Sequence, residues 1–275
     1  MRILLSGQSG FIGKCVYKKL ISESNSDDIT VIDLRQKNIN LKYSNYDLLI
    51  HCASSTPDNT ADLNTIMEKN ISILNNICNI IDKKNVLKII NLSSMSVYGR
   101  DADGYIDENV ISKNPDTYGL SKIYTENYIN TRYKNKLGIL HLRLPGVTGK
   151  VENNIFLNRL YKKIKNDGCI LIDDPNALFN NILDIDDLVN YIIKNKRFDN
   201  SNKNNELTLN LGSKYPITLK EVVELFFNKL EKKINIQMSN QTQKHFYINI
   251  DKAKENGFKP LKTEDAIIKF ISSKG

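Results

Sequence analysis

The stretch Arg2-Ile3-Leu4-Leu5-Ser6-Gly7-Gln8-Ser9-Gly10-Phe11-Ile12-Gly13 decides the fold. A short apolar run predicts a buried strand, and the amphipathic pattern that continues to about Ile21 predicts a helix. Three glycines between them follow a G-x-x-G-x-x-G spacing, which lets the backbone approach a pyrophosphate and directs helix N-terminal amides towards it. Alone, this spacing is a weak sign of a dinucleotide site.

Strands and helices alternate downstream of this unit. Strands are predicted at 29–32, 47–52, 87–92 and 138–144, and helices at 63–81 and 118–133. Past Pro145 the pattern loosens into helices at 155–165, 186–195 and 219–230, strands at 170–172 and 207–211, an exposed polar loop at 200–205 and a C-terminal segment. This alternation predicts an α/β fold with a Rossmann-type doubly wound parallel sheet.

Asp33 strengthens the prediction of a dinucleotide site. An acidic residue at the end of the second strand accepts hydrogen bonds from the adenosine ribose and repels a 2′-phosphate. These features follow one another in the order strand, glycine loop, helix, strand, Asp. This order favours an NAD-binding site over a chance cluster of loop glycines. Arg35 keeps NADP open, since a nearby guanidinium can bind a 2′-phosphate.

Composition excludes several other classes of protein. The chain is 40% hydrophobic and 25% charged, which is ordinary for globular proteins. Its 39 Lys and Arg against 31 Asp and Glu are dispersed and lack aromatic-rich basic motifs, so a nucleic-acid partner is not expected. The surplus of positive charge suits an anionic small substrate.

Neither a metal site nor a membrane-spanning segment is expected. Cys15, Cys52, Cys78 and Cys169 are scattered without a C-x-x-C pair or a histidine at ligand spacing, so no zinc site or disulfide framework is predicted. The opening apolar run is too short for a secretory segment, and no later run reaches a membrane-spanning length. A cytoplasmic protein with no membrane partner is therefore expected.

Ser94, Tyr118 and Lys122 are predicted to form the reaction centre. On a helix, a spacing of four residues puts Tyr118 and Lys122 on one face, where the ammonium can stabilise the phenolate. Such a tyrosine acts as acid and base, Lys122 also holds the nicotinamide ribose, and Ser94 hydrogen-bonds the substrate oxygen. The combination indicates hydride transfer at a carbonyl or alcohol carbon.

Taken together, these motifs resemble the extended short-chain dehydrogenase/reductases of the nucleotide-sugar epimerase/dehydratase family, nearly end to end. The resemblance is carried by Gly7 to Gly13, His51-Cys52-Ala53-Ser54, Asn70, Ser93 to Gly99 and Tyr118 to Lys122, with weaker matches continuing to Pro260. It implies a Rossmann domain over 1–147, to which 182–212 returns, and a small C-terminal substrate-binding lobe over 148–181 and 213–275.

The resemblance also implies ligands and contacts. The expected ligands are NAD or NADP and a nucleoside-diphosphate sugar, in an enzyme of polysaccharide biosynthesis that forms a homodimer through helices 63–81 and 118–133. The expected cofactor-binding residues are Gly7, Gln8, Ser9, Gly10, Phe11, Ile12, Gly13, Asp33, Leu34, Arg35, Cys52, Ala53, Ser54, Asn70, Leu92, Tyr118, Lys122 and Pro145. The expected substrate-binding residues are Ser55, Ser94, Met95, Ser96, Gly146, Asn180 and Arg159.

Departures from the family pattern narrow the function. Met95-Ser96 replace the Asp-Glu pair with which dehydratases eliminate water, so 4,6-dehydration is not expected. Gly146 and Asn180 stand where many relatives have an Asn and an Arg that contact the diphosphate. Arg159 and Lys244 are the alternative candidates for contacting the diphosphate.

A second departure lies between Asp33 and His51. This segment is too short for the usual helix and third strand, and it lacks the Gly-Asp pair that commonly contacts adenine. Adenine is expected to be held by Leu34 or by residues 44–47.

Three hypotheses follow for the activity. The compact chain favours a ketoreductase acting on a 4-keto nucleotide sugar, because such an enzyme reduces one carbonyl and releases its product. A 4-epimerase is the close alternative, mildly favoured by Asp33 because epimerases retain NAD through the cycle. A non-catalytic dinucleotide-binding module is the third, and the presence of Ser94, Tyr118 and Lys122 together argues against it.

Overall fold

The computed structural model describes residues 1–23, 27–36, 39, 41–57, 63–150, 155–166, 168–197, 206–239 and 243–274. The predicted loop 200–205 lies outside the described residues. Strands are β1 Arg2–Ser6, β2 Asp28–Ile32, β3 Asn45–Tyr46, β4 Leu48–His51, β5 Asn85–Val86, β6 Lys88–Ser94, β7 Gly104–Ile106, β8 Gly138–Leu144, β9 Gly146–Thr148, β10 Ile170–Ile172, β11 Leu178–Phe179, β12 Ile182–Asp184, β13 Glu206–Asn210, β14 Ile217–Thr218, β15 Ile236–Met238 and β16 Phe246–Ile248.

Helices follow the same alternation. They are α1 Phe11–Glu23, α2 Leu63–Lys83, α3 Thr117–Tyr133, α4 Phe156–Asn166, α5 Ile185–Lys194, α6 Leu219–Lys229, α7 Asp251–Glu255 and α8 Thr263–Ser272, with short 3₁₀ turns at Met95–Tyr98 and Asn195–Arg197. Among the described residues, no helix is long and apolar enough to cross a membrane.

A six-stranded sheet in the order β13-β8-β6-β4-β1-β2 forms the framework. β1 pairs in parallel with β2 on one side and with β4 on the other, and β4 pairs in parallel with β6. The strand order therefore reverses next to β1, and in open α/β sheets ligands bind at such a point, outside the carboxyl ends of the strands. The predicted doubly wound α/β fold is confirmed.

The short segment after β2 has a simple consequence for the sheet. β3 contains two residues and pairs with β5 rather than with the six-stranded sheet, and no strand lies outside β2 in the part of the chain described. Tyr46 is fully buried, and the carboxylate of Asp47 accepts a 2.7 Å hydrogen bond from the backbone N–H of Arg2. Residues 44–47 therefore support the sheet and do not line the cavity that Leu34 lines.

Two compact units make up the chain. The first comprises 1–99, 114–143 and 188–209, and the second 100–113, 144–187 and 210–275. This differs from the predicted division, which assigned 100–113, 144–147, 182–187 and 210–212 to the Rossmann domain. The reason is strand pairing: β7 pairs in parallel with β16, and β12 pairs in parallel with β9.

Each unit has its own apolar core. In the first, Leu4, Leu49 and Ile89 from the sheet are fully buried and cluster with Ile77 of α2 and Ile129 of α3. In the second, side chains of α4, α6 and α8 form the cluster, among them Leu160, Phe226 and Ile267. Helix α8 was not predicted, although its buried Ala266, Ile267, Phe270 and Ile271 follow the spacing of one helical face.

Candidate active site

The glycine loop joins β1 to α1 against the end of β4. Gly7 has φ +77°, a left-handed conformation that glycine adopts without strain. A Cβ added there would lie 2.5 Å from the backbone nitrogen of Ala53, and one added at Gly13 would lie 2.1 Å from the Gly7 oxygen. The loop is also closed by a 3.0 Å hydrogen bond from the Gly10 N–H to the Gly7 carbonyl. Glycine is therefore required at positions 7 and 13 by backbone contact.

A cavity of about 300 Å³ lies over this loop in the first unit. Ten predicted cofactor residues line it: Gly7, Gln8, Ser9, Gly10, Asp33, Leu34, Arg35, Cys52, Ala53 and Ser54. Val31, Ile32 and Ile73 also line it and were not predicted. A narrow glycine-walled cavity at the carboxyl ends of β1, β2 and β4, with an acidic residue in its wall, fits the adenosine diphosphate portion of a dinucleotide.

Asp33 and Arg35 face each other in this cavity wall. The Arg35 side chain donates from Nε to Oδ1 at 2.8 Å and from Nη2 to Oδ2 at 2.9 Å. The backbone N–H of Arg35 adds a bond of 3.1 Å to Oδ1. Hydrogen bonding by Arg35 holds the pKa of Asp33 below its usual value. The predicted ribose acceptor therefore shares its carboxylate with a neighbouring cation.

The loop after β4 is held by buried polar groups. Asn70 of α2, predicted to bind cofactor, donates to the Ser55 carbonyl at 3.0 Å and to Ser121 Oγ at 2.9 Å, and accepts from the Ser55 N–H at 2.7 Å. Its side-chain amide thus joins this loop to α3, and the hydrogen bonds named here are all to protein groups. Burial raises the pKa of the Cys52 thiol to about 12, so that thiol is not a nucleophile.

Helix α3 packs directly onto the turn that carries Ser94. Its first turn is capped by Asp116, whose carboxylate accepts a 2.8 Å hydrogen bond from the Gly119 N–H. A Cβ at Gly119 would lie 2.2 Å from the Ser96 carbonyl oxygen, so no larger residue fits between helix and turn. Ser94 Oγ accepts from the Ser96 N–H at 3.1 Å and is half-buried. Tyr118, next to Gly119, is thereby fixed beside the serine turn.

Lys122 lies under Tyr118 as the spacing predicted. Its ammonium is 5.6 Å from the centre of the Tyr118 ring, and Nζ donates a 3.0 Å hydrogen bond to the Leu92 carbonyl. Lys122 is only 7% exposed, so its charge acts in a poorly hydrated setting. Burial, with the charge of Lys122, lowers the pKa of neighbouring His51 to about 3, which keeps that imidazole neutral. The ammonium is therefore the cation available to Tyr118 on this face.

A buried ion pair connects helix α3 to the 3₁₀ turn that follows Ser94. Arg143 of β8 donates to both carboxylate oxygens of Glu126, with its shortest bond 2.7 Å, and to the Tyr98 hydroxyl at 2.8 Å. Burial opposes ionisation of Glu126, but the hydrogen bonds and charge of Arg143 lower its pKa below the usual value. Glu126 is on α3 and Tyr98 ends the 3₁₀ turn, so Arg143 joins the two elements that carry the predicted reaction centre. The pair between Glu126 and Arg143 was not predicted from the sequence.

The second unit contains a cavity of about 570 Å³. Two predicted substrate residues, Gly146 and Arg159, line it among apolar side chains. Asp173 and His245 also line it and were not predicted; His245 Nε2 lies 2.9 Å from Asp173 Oδ2. Asn181 contributes a buried Oδ1 without a hydrogen-bond partner among the described residues.

Asn180 does not line this cavity but a second one of about 480 Å³ in the same unit, so its predicted contact with substrate stays a prediction. It is 1% exposed, and its amide donates to the carbonyls of Ser213 and Ile248 while accepting from the Ile248 N–H. Asn181, the next residue, lines the cavity of about 570 Å³ instead. Lys244, the other candidate, forms an exposed pair with Asp103 at 3.1 Å.

The remaining predicted residues are placed less directly. Phe11, Ile12 and Gly13 begin α1 and do not line the smaller cavity in the described chain, and Leu92 contributes its carbonyl to Lys122. Met95 is buried in the 3₁₀ turn, Ser96 Oγ accepts a 3.2 Å bond from Ser94 Oγ, and Pro145 belongs to the second unit.

Comparison with known proteins identifies the family. The model of the NAD dependent epimerase/dehydratase family matches residues 3–212, which include the glycine loop, Asp33, Ser94, Tyr118 and Lys122. The chain belongs to this family. The predicted family, an enzyme, and a nicotinamide cofactor are thereby confirmed.

Individual relatives are distant. The chain is 25% identical over 247 residues to an ADP-L-glycero-D-manno-heptose-6-epimerase of Brachyspira hyodysenteriae (strain ATCC 49526 / WA1), a match that covers 77% of this chain and 76% of that protein. Among solved structures, RMD of Pseudomonas aeruginosa in complex with NADPH has a TM-score of 0.80 at 18% identity, covering 99% of both chains. UDP-glucuronic acid 4-epimerase of Bacillus cereus in complex with NAD also has a TM-score of 0.80 at 18% identity, covering 99% and 98%. At this identity the two structures establish the fold.

Proposed function

We propose that this family member is an NAD(P)-dependent nucleotide-sugar oxidoreductase, and specifically a ketoreductase acting on a 4-keto nucleoside-diphosphate sugar. The observation that carries the proposal is the packing of Gly119 on the Ser96 carbonyl, which fixes Tyr118 and Lys122 beside the Ser94 turn. Such an arrangement matches hydride transfer at a sugar carbonyl.

Each of the three residues has one task in this reaction. A bound nicotinamide supplies the hydride. Ser94 Oγ turns its one proton from Ser96 Oγ to the substrate oxygen when substrate binds. Tyr118 donates a proton to that oxygen as it becomes an alkoxide, and Lys122 stabilises the phenolate that remains. The buried position of Lys122 strengthens this last interaction, because little water screens its charge.

Elimination of water is a poor alternative for this chain. A dehydratase needs a carboxyl acid and base beside the catalytic serine, and positions 95 and 96 hold Met and Ser. Met95 is buried, and the Ser96 hydroxyl is bonded to Ser94. Proton exchange is thus assigned to Tyr118 alone.

The open adenosine end of the smaller cavity supports reduction over epimerisation. In its described part, segment 34–47 contains one two-residue strand and no helix, and the Arg35 side chain is 76% exposed. Few groups therefore enclose the adenosine end of the cavity. A reductase must exchange its cofactor in every cycle, whereas an epimerase regains its cofactor unchanged and can hold it.

The larger cavity of the second unit is the proposed site for the nucleoside diphosphate. Apolar walls suit a base, Arg159 can pair with a phosphate, and the unpartnered Oδ1 of Asn181 can accept a hydrogen bond from the ligand. Gly146 lines the same wall, and a Cβ there would meet Ile155 Cγ2 at 3.3 Å. Ile155 therefore occupies the space beside position 146 that an asparagine would need.

Epimerisation is the second candidate, favoured by the heptose epimerase relative. Tyr118 would then remove and return one proton while the hydride leaves and re-enters the same carbon. Spectra of the purified protein separate the two candidates. Tightly retained nicotinamide favours an epimerase, and exchangeable reduced cofactor favours a reductase.

The test is a panel of UDP-, dTDP- and GDP-linked sugars and their 4-keto forms, assayed with NADH and NADPH. We expect oxidation of reduced cofactor with a 4-keto substrate. Tyr118→Phe should abolish turnover while cofactor binding persists, and Tyr124→Phe on the same helix should leave turnover intact. Interconversion of epimers without net oxidation of NADH or NADPH would refute the reductase. Undiminished turnover by the Tyr118→Phe variant would show that Tyr118 takes no part in the mechanism.

A homodimer through α2 and α3, a cytoplasmic location and a role in polysaccharide biosynthesis remain predictions. The dimer is supported by two apolar side chains of α3 that are exposed in the single chain, Leu120 at 47% and Tyr124 at 43%. Molar mass by light scattering tests it, and a monomer at micromolar concentration would contradict it.

A further inference from the structure

A cleft of about 480 Å³ lies in the second unit, apart from the two cavities assigned to cofactor and substrate. No residue of its described lining also lines either of those cavities. Asn180 lines the cleft and Asn181 lines the larger cavity, so two neighbouring side chains belong to different cavities. We call it the tyrosine cleft, because Tyr105, Tyr215 and Tyr247 line it.

The apolar part of the cleft combines buried side chains with presented rings. Ile248, Ile250 and Phe258 line it and are at most 6% exposed. Tyr105 and Tyr247 pack edge to face with their ring centres 5.5 Å apart, and Tyr105 is half exposed. A tyrosine ring with a free face can stack on a planar base. These walls therefore fit the aromatic ring of a ligand.

Tyr215 is held in an unfavourable backbone conformation at the edge of this cleft. Its φ of +59° lies in the left-handed region, which bulky residues rarely adopt, and it precedes Pro216, which favours an extended backbone before it. Its ring is nevertheless 65% exposed, with Lys214 Nζ 5.7 Å from the ring centre. Glycine would form the same turn without strain. Because an exposed ring packs against little of the protein, the fold alone does not account for a tyrosine here.

The charged groups of the cleft are mostly cationic. Lys214, Lys254 and Lys259 line it together with one carboxylate, that of Asp251. Lys254 Nζ lies 2.6 Å from Asp251 Oδ1, so these two charges balance each other. Neither Lys214 nor Lys259 has a carboxylate partner among the described residues. Two ammonium groups beside the tyrosine rings are therefore available to an anion, and lysine is a common phosphate ligand.

We propose that the tyrosine cleft is a separate binding site for a nucleoside phosphate, whose base stacks on the tyrosine rings and whose phosphate pairs with Lys214 and Lys259. The volume of the cleft is within the range of small-molecule sites. The proposal goes beyond the ketoreductase reaction, which uses the other two cavities. It therefore does not depend on the identity of the sugar.

Calorimetry of the full chain saturated with NADH tests the site. NADH blocks the smaller cavity, and Arg159→Ala weakens phosphate binding in the larger one. The probes are UMP, AMP, their nucleosides and inorganic phosphate. We expect UMP or AMP to bind at a site that Arg159→Ala leaves intact. Inorganic phosphate should bind there at least about tenfold more weakly, because it has no base to stack.

Replacing Tyr215 separates binding from folding. Tyr215→Gly should weaken the nucleotide by at least about tenfold, because one stacking ring is lost. Its Tm should not fall, since glycine adopts a φ of +59° without strain. Tyr215→Phe keeps the ring and should keep the affinity. The affinity for NADH should be unchanged in both variants, because the described lining of the smaller cavity does not include Tyr215.

Replacing Lys259 tests the phosphate contact. Lys259→Ala should weaken the nucleotide by about three- to tenfold and leave its nucleoside unchanged, because only the nucleotide carries the anion. Lys259→Arg keeps the charge and should keep most of the affinity. The matched control is Lys252→Ala, which removes an exposed lysine of α7 that is not among the described lining residues. It should change neither affinity.

Four results would overturn the proposal. The first is the absence of a nucleotide site in the Arg159→Ala protein saturated with NADH, and the second is an unchanged nucleotide affinity in either Tyr215→Gly or Lys259→Ala. The third is inorganic phosphate binding as tightly as the nucleotide. The fourth is a lower Tm in Tyr215→Gly, which would make the ring structural. A failure of all sugar assays, by contrast, would refute the ketoreductase and leave these binding results intact.

Discussion

Replacing Gly119 by alanine sets helix propensity against packing. Alanine is favoured over glycine inside a helix by about 1 kcal/mol, so propensity alone predicts a more stable protein. In this structure, however, the new methyl group would lie 2.2 Å from the Ser96 carbonyl oxygen, and both partners are backbone-anchored. Carbon and oxygen pack at about 3.3 Å or more, so α3 and the 3₁₀ turn would have to separate by roughly 1 Å.

That displacement gives the expected magnitudes. Overpacking costs about 1–3 kcal/mol, which offsets the gain in propensity and leaves the variant about 1 kcal/mol less stable. A shift of about 1 Å between Tyr118 and the Ser94 turn should lower kcat roughly 100-fold. Cofactor affinity should fall less than kcat, because the described lining of the smaller cavity includes neither element and only the nicotinamide-ribose contact predicted for Lys122 is displaced.

Urea denaturation, steady-state kinetics and NADH fluorescence measure the three quantities. The control is Asn127→Ala, an exposed position of the same helix, which gains propensity without a clash and should be at least as stable and as active as the unaltered protein. A Gly119→Ala variant with increased stability and unchanged kcat would refute the packing argument.

Three further predictions concern other parts of the first unit. Gly7→Ala should raise the dissociation constant of NADH at least about tenfold, because its Cβ would lie 2.5 Å from the Ala53 nitrogen; unchanged binding would contradict the contact. Glu126→Gln should cost about 3–5 kcal/mol in urea denaturation by removing the carboxylate that balances the buried charge of Arg143, whereas Glu23→Gln, in an exposed pair with Lys19, should cost less than about 0.5 kcal/mol. For His51, a pKa of about 3 in the folded protein against about 6.5 unfolded means stability that is full above pH 6.5 and falls by up to about 1.4 kcal/mol per pH unit below it. His51→Asn should reduce that slope between pH 6 and 4, and an identical slope would refute the burial argument.

Local patterns in the sequence were sufficient to predict several elements of the first unit. A strand of apolar residues followed by glycines and a periodic helix can form only a few structures, so β1, the glycine turn and α1 were predicted correctly. The spacing of Tyr118 and Lys122 likewise placed both side chains on one face of α3. These features depend on residues within one or two turns of each other, which is why the order of residues reveals them.

The second unit was less predictable for the converse reason. Its short strands pair across long separations, as β7 does with β16, and neither strand is marked by its own sequence. Asn180 and Asn181 are adjacent and identical in type, yet the first is consumed by backbone hydrogen bonds and the second lines the larger cavity. Only the direction of each side chain distinguishes them.

The sequence by itself was enough to identify the family: a glycine loop, an acidic residue after β2, and a serine, tyrosine and lysine at fixed spacing predict a nicotinamide site and a proton donor. Tertiary structure decided how these groups are held and shared. It showed that Gly119 is pressed against the Ser96 carbonyl and that Glu126 and Arg143 join α3 to the serine turn. It also showed that Asp33 is neutralised by Arg35. The chemical groups of single residues can be read from the sequence. Contacts and ion pairs between them form only when the folded chain brings those residues together.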